Sequence, residues 1–171
     1  MLVLGIDPGT AITGFGLVKE LATGLEAVGY GSIRTSSRMA PGQRLQKIYR
    51  ELEKVLRVYR PDVVAVEELF FNKNVKTALA VGEARGVVLL AAANFGVRVL
   101  EYTPPEVKLA VAGYGRSDKD QVGSMVKMLL SLDENPKPDD VADALAVAIC
   151  CLHSRRLQEL QSKSKGGGSR F

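Results

Sequence analysis

Short apolar runs alternate with longer amphipathic ones along this chain, and their order predicts its architecture. Leu2-Val3-Leu4-Gly5-Ile6 is a strand-length run of apolar or small residues that ends in Asp7 and the reversal Pro8-Gly9-Thr10. Ile12 to Lys19 and Glu26 to Thr35 are β-rich runs with glycines, separated by Ala22-Thr23-Gly24. With the first strand they predict an antiparallel meander. From Pro41 to about Tyr59 the period changes. Leu45, Ile48, Leu52, Val55, Leu56 and Tyr59 recur at three-to-four spacing, opposite Lys47, Arg50, Glu51 and Lys54, so a helix is expected.

Val63-Val64-Ala65-Val66 is continuously apolar, as a central strand covered on both faces should be, and it ends in Glu67-Glu68. A helix over about Val75 to Asn94 and a strand from Val97 to Tyr102 complete a strand–helix–strand unit, which implies a right-handed parallel crossover. Shorter helices are expected near Pro105 to Ala112 and Asp118 to Leu130, and a last one from about Pro138 to Leu157. The predicted fold is α/β: a five-stranded mixed sheet, three antiparallel strands plus two parallel, with helices on both faces. Residues 1–157 should form one domain. Residues 158–171, basic and rich in Gly and Ser, cannot bury apolar surface and should be a disordered tail.

Composition narrows the class of protein only a little. At 171 residues, 46% apolar and 25% charged, the chain is long enough for a full core. No apolar run approaches the roughly 18 residues that span a bilayer. Met1 passes directly into the first strand, and the adjacent Cys150 and Cys151 cannot staple distant segments. The expectation is a cytoplasmic protein without membrane association. The net charge of +4 equals the surplus carried from His153 onward, while residues 1–152 hold 18 basic and 18 acidic groups. Global charge is thus weak support for nucleic-acid binding, and local patches must carry that argument.

The acids are more informative. An Asp-Pro-Gly reversal accounts for Asp7 as a turn former. If the strands ending at Asp7 and Glu67 are parallel neighbours, however, the two carboxylates lie about 5 Å apart at one sheet edge. Strand alternation then allows only one of Glu67 and Glu68 to join Asp7. The last helix opens Pro138-Asp139-Asp140-Val141-Ala142-Asp143, with Asp140 and Asp143 on one helical face. Helix capping explains Asp139 and in part Asp140. It explains Asp143 poorly, a turn further in and followed by Ala144-Leu145-Ala146-Val147-Ala148-Ile149. That apolar run must pack on the sheet, which brings the acids to it. Four converging carboxylates repel one another, and protonation or divalent cations relieve this. Two Mg²⁺ ions would match four negative charges, the composition of a two-metal phosphoryl-transfer site.

Leu4-Gly5-Ile6-Asp7-Pro8-Gly9, Ala65-Val66-Glu67 with Phe70 following, and Asp140-Val141-Ala142-Asp143-Ala144-Leu145-Ala146 resemble the RuvC family of Holliday junction resolvases. That family lies within the RNase H-like, retroviral-integrase-type superfamily. The similarity runs in order over about residues 1–153 and includes Asn72-Lys73-Asn74, Glu83-Ala84-Arg85-Gly86 and Asn135-Pro136. It implies that Asp7, Glu67, Asp140 and Asp143 are a catalytic, metal-binding quartet, holding two Mg²⁺ per site with Mn²⁺ able to substitute. It further implies paired symmetric nicks in four-way junction DNA, leaving 5′-phosphate and 3′-hydroxyl ends, in recombination and repair. The extra Asp139 leaves the third ligand open between Asp139 and Asp140. Some members carry His at that position, but here the only histidine, His153, comes too late in its helix.

For DNA contact the candidates are Phe70, Lys73, Lys76, Lys108 and Lys119. Phe70 is either a core ring or an aromatic that stacks on an unpaired base, with nearby Lys and Asn on phosphates. Lys119 follows the glycine-containing loop Gly113 to Asp118 at a helix start, a natural phosphate site, although a solvated lysine is the default for any one of these. The resemblance places Lys108 and Lys119 near the scissile phosphate and Phe70 at the stacking position. Ala78, Gly82 and Gly86 make a small-residue ridge, open to packing on the chain's own sheet or on a second copy. A homodimer matches the two-fold symmetry of a junction. The resemblance favours that use and names a RuvA–RuvB branch-migration complex as partner. Rival readings are an RNase H-like nuclease acting on RNA in ribosomal RNA maturation and an inactive dimeric junction-binding module. A sugar-kinase or Hsp70-type ATPase would need a second such domain, which 171 residues cannot hold.

Overall fold

The computed structural model describes residues 1–68 and 75–166, excluding the side chains of 75–77 and 159–166. Five strands and five helices follow in the order β1 (Leu2–Asp7), β2 (Ile12–Leu21), β3 (Gly24–Arg34), α1 (Pro41–Tyr59), β4 (Val63–Glu67), α2 (Val75–Asn94), β5 (Arg98–Tyr102), α3 (Pro104–Ala112), α4 (Lys119–Leu129) and α5 (Asp139–Gly166). The sheet order is β3-β2-β1-β4-β5. The β1–β2 and β2–β3 pairs are antiparallel, and the β1–β4 and β4–β5 pairs are parallel. This is the mixed sheet expected from the hydrophobic pattern. One boundary differs: α5 continues to Gly166 rather than ending near Leu157. Its last turns are Gln, Lys and Ser rather than apolar, so no core-facing stripe announced the continuation. Residues 167–171, the Gly/Ser end of the expected tail, lie outside the described residues.

Strand alternation divides the core in two. Leu4, Ile6, Val64 and Val66 pack against Ile48, Leu52 and Leu56 of α1 and Ala84, Val88, Ala91 and Ala92 of α2. Val3, Val63 and Ala65 point the other way, into Val107 and Val111 of α3, Val122 and Val126 of α4, and the apolar length of α5. Asp7 continues the Val3 side of β1, and Glu67 the Val63 side of β4. Both acids therefore emerge on the face that carries α5.

On that face, β1 and β2 carry glycine where the first half of α5 crosses them. A Cβ at Gly5 would run into the Ala144 carbonyl, one at Gly14 into the Asp140 carbonyl, and one at Gly16 into the Leu145 side chain. Three glycines on two adjacent strands thus let the helix backbone lie directly on the sheet. The register sets Gly14 beside Asp7, so the contact between Gly14 and Asp140 brings the start of α5 to the end of β1. Among the described residues no helix is long and apolar enough to cross a membrane.

Gly14→Ala is expected to lower unfolding stability by about 1–3 kcal/mol or more, since backbone must move to admit the methyl. Gly123→Ala, within α4 and with nothing near its Cβ, should raise stability by about 0.5–1 kcal/mol. Urea denaturation of both variants checks the pair.

Candidate active site

Three acids and two lysines line one cavity of about 350 Å³: Asp7 from β1, Glu67 from β4, Asp143 from α5, Lys108 from α3 and Lys119 from α4. Pro104, Val107, Val122, Ala146 and Val147 form its apolar remainder. Each polar group arrives by a separate local rule. The parallel register pairs Ile6 with Val66, so one step further puts Asp7 beside Glu67. Glu68 falls on the opposite alternation and is exposed. Asp118 caps α4 by accepting a hydrogen bond from Gln121 N at 2.8 Å, which places Lys119 at the helix's first position. Gly113 ends α3 in the left-handed conformation, with φ of 73°, and turns the chain from Lys108 toward α4.

The Lys119 ammonium donates to Asp143 Oδ2 at 3.2 Å. This cation is mostly solvated whereas its partner is largely covered. Burial still dominates Asp143 and pushes its carboxyl above the usual range, with Lys119 opposing. Glu67 is raised by burial and by Asp143, against Lys119 and Lys108. Asp7 is affected most. Burial, then Asp143, Asp140 and Glu67, push it up to about 7, with Lys119 again opposing. In the other direction, Lys119 is raised chiefly by Asp143. The chain thus supplies too little positive charge for the acids it gathers.

Asp140 lies next door, on the wall of a second, open cavity of about 550 Å³ with Arg34, Lys137, Pro138 and Asp139. Its charge reaches both Asp7 and Asp143. Asp139 is exposed and bears instead on Asp143 and Lys119. Asp140 is thus the acid of the pair whose charge reaches Asp7. Arg34 and Lys137 had not been singled out. They stand about a hundred residues apart in the chain, and nothing local marks either one. Phe70 and Lys73 lie outside the described residues, as does the side chain of Lys76.

The donor set fits a hard divalent cation in kind, being all carboxylate oxygen with no Cys or His. It fits in charge as well, because each of Asp7, Glu67 and Asp143 is held above its ordinary pKa by burial and by its acidic neighbours. The spacing is not that of a closed site: among the described residues no three Asp, Glu, His or Cys side chains are grouped to hold a metal ion.

Residues 3–151 match the family described as crossover junction endodeoxyribonuclease RuvC. A crossover junction endodeoxyribonuclease RuvC from Heliobacterium modesticaldum is 60% identical over 154 residues, covering 90% of this chain and 95% of that one. Another, from Syntrophomonas wolfei, is 52% identical over 172 residues, covering 99% and 100%. Among solved structures, T. thermophilus RuvC in complex with a Holliday junction substrate superposes with a TM-score of 0.84 at 37% identity, covering 92% of this chain and 96% of that one. The RNase H-like sheet expected from the sequence is the one observed.

The raised Asp7 carboxyl has a consequence for metal-free protein. Its folded pKa of about 7 stands above the unfolded value of 3.8, so the native state binds the extra proton between them. Stability should fall as pH rises from about 4 to 7, by up to a few kcal/mol, and level off above. Asp7→Asn should flatten this slope and be the more stable protein at pH 8. Thermal unfolding in chelator at pH 5.5 and pH 8 measures both.

Proposed function

This chain belongs to the RuvC family of crossover junction endodeoxyribonucleases, and from that premise we propose that its acidic cavity cuts the strands of four-way junction DNA. The carrying observation is the convergence of Asp7, Glu67 and Asp143 with Lys108 and Lys119 on one cavity, from five separate elements. Asp7, Glu67, Asp140 and Asp143 would hold Mg²⁺, two ions per site, with Mn²⁺ able to substitute. The chemistry supplied by such ions is Lewis-acid stabilisation of the phosphoryl anion and activation of water. Asp140 is preferred over Asp139 because its carbonyl rests on Gly14, beside Asp7, and its charge acts on Asp7 directly.

The chain's own groups hold and orient the DNA. Lys119 is placed to exchange its bond to Asp143 for one to the scissile phosphate, and Lys108 stands on the Glu67 side to fix a second oxygen. The apolar floor restricts water around the reacting group. Phe70 is assigned to stacking on an unpaired base at the exchange point, with Lys73 and Lys76 on nearby phosphates. The products would be 5′-phosphate and 3′-hydroxyl ends, which a ligase can reseal.

Paired nicks require two sites, and a homodimer is the proposed assembly. Along α2, Leu79, Gly86 and Leu90 are exposed, and a Cβ on Gly86 would meet nothing. This part of the helix therefore faces away from its own sheet, which supports the ridge as an intersubunit surface. Residues 1–157 are the proposed nuclease unit. A cytoplasmic location and a RuvA–RuvB branch-migration partner complete the reading by family likeness.

With Mg²⁺, the protein should nick a four-way junction symmetrically and leave linear duplex and structured RNA intact. RNA cleavage, or junction binding without nicking, would favour one of the rival activities. Asp7→Asn should abolish nicking while gel-shift binding to the junction persists. Lys119→Ala should slow single-turnover nicking by about 10²-fold, the typical loss of one placed charge at a transition state.

A further inference from the structure

The second cavity, at the start of α5, carries charge that the cleavage chemistry leaves unassigned. Arg34 and Lys137 line its wall, and both are exposed. Two acids, Asp139 and Asp140, share that wall, yet among the described residues neither cation closes an ion pair within 4.0 Å. Asp140 also adds its charge to the surroundings of Asp7, and Asp139 to those of Asp143 and Lys119. The rim therefore carries two solvent-facing cations that no side chain of the wall pairs within 4.0 Å, beside the exposed Asp139.

Register fixes where this rim stands. Asp7 pairs with Gly14, and Gly14 pairs with Ser32 on β3. Arg34 is two residues beyond Ser32, at the same end of the sheet, and opposite Ile12. Its neighbour Ile33 belongs to the core under α1 and α2, so alternation turns Arg34 to the α5 face. Two strand spacings across and two residues along put its Cα about 12 Å from that of Asp7. Lys108 lies on the other side of β1, where its charge acts on Glu67. The acids thus sit between two positively charged margins.

We propose that Arg34 and Lys137 form a second phosphate-binding margin, which grips the backbone of the junction arm leaving the cleft on the β3 side. The partner chemistry is the duplex sugar–phosphate backbone. Since successive phosphates on one strand lie further apart than the 3.4 Å axial rise, about 12 Å places this margin within a few nucleotides of the cut. Arg suits that position because its planar fork engages phosphate in a bidentate manner. An anionic polymer crossing a net-acidic cleft needs cations on both sides, or repulsion from the acids tips it away from the side without them. The margin fixes position and makes no choice of sequence. This inference rests on the junction-nuclease reading, and the following test separates the two.

Binding of wild type and Arg34→Ala/Lys137→Ala to a labelled four-way junction is measured by anisotropy in chelator from 50 to 200 mM KCl, with Mg²⁺-dependent nicking assayed alongside. Loss of two phosphate contacts should reduce the slope of log K against log salt by about 1.8, so the affinity lost across that range shrinks about 12-fold. Arg34→Lys/Lys137→Arg, which keeps both charges, should retain the wild-type slope. A double-Ala slope equal to wild type, with wild type nicking junctions normally, overturns this inference and leaves the nuclease reading standing. Equal loss of slope in the charge-keeping variant also overturns it, since distortion rather than charge would then be the cause. If wild type neither binds nor nicks the junction, both readings fall together.

Discussion

The close approach of α5 to β1 and β2 is the constraint on which the site depends. A carboxylate cluster is a high-energy arrangement, and no acid in it gains from being near the others. What brings Asp140 and Asp143 to Asp7 is apolar: the run from Val141 to Leu152 is buried almost throughout, against the sheet and against α3 and α4. Burial of that length outweighs the repulsion at its head. Gly5, Gly14 and Gly16 set how near the helix can come. The energy that folds the protein is thereby also the energy that compresses its acids.

Lys119 gives the cluster partial relief. It lies on α4, held at the helix start by the Asp118 cap, and it touches Asp143 while remaining largely in water. A solvated ammonium is a mild counter-ion, strong enough to oppose the rise at Asp7, Glu67 and Asp143 but too weak to cancel it. The same solvation leaves it able to change partners. On the proposed reading the same lysine would pass from the resting cluster to an arriving phosphate, since its bond to Asp143 is not deeply buried.

Much of the fold and of the meeting of the acids was legible in the sequence, and each legible part has a local cause. The five strands are written in period-2 or continuous apolar runs, and α1 in a clean three-to-four stripe. Asp7 and Glu67 were readable because each ends a buried strand, where a carboxylate has no packing role. Asp143 was readable because capping could not explain it. Which of Asp139 and Asp140 lies nearer Asp7 was not, since both occupy the first turn of α5 and differ only in which meets β2. Arg34 and Lys137 were invisible for a related reason. Their shared cavity exists only once β3 and the start of α5 are side by side, and isolated basic residues carry no signal. The continuation of α5 to Gly166 was missed because polar turns past the core have no hydrophobic period to read.

The two faces of the sheet are built of different material. Toward α1 and α2 it presents Leu, Ile and Val, which can lose a methylene and repack around the gap at modest cost. Toward α5 it also presents Val3, Val63 and Ala65, but where α5 crosses β1 and β2 it presents Gly5, Gly14 and Gly16 against the helix, with no room for one carbon more. Sequence drift should therefore be lopsided: exchanges among aliphatics accumulate on one side, while the other stays frozen at its smallest residues. A redesign for thermal tolerance has more freedom beneath the first two helices than at these three glycines.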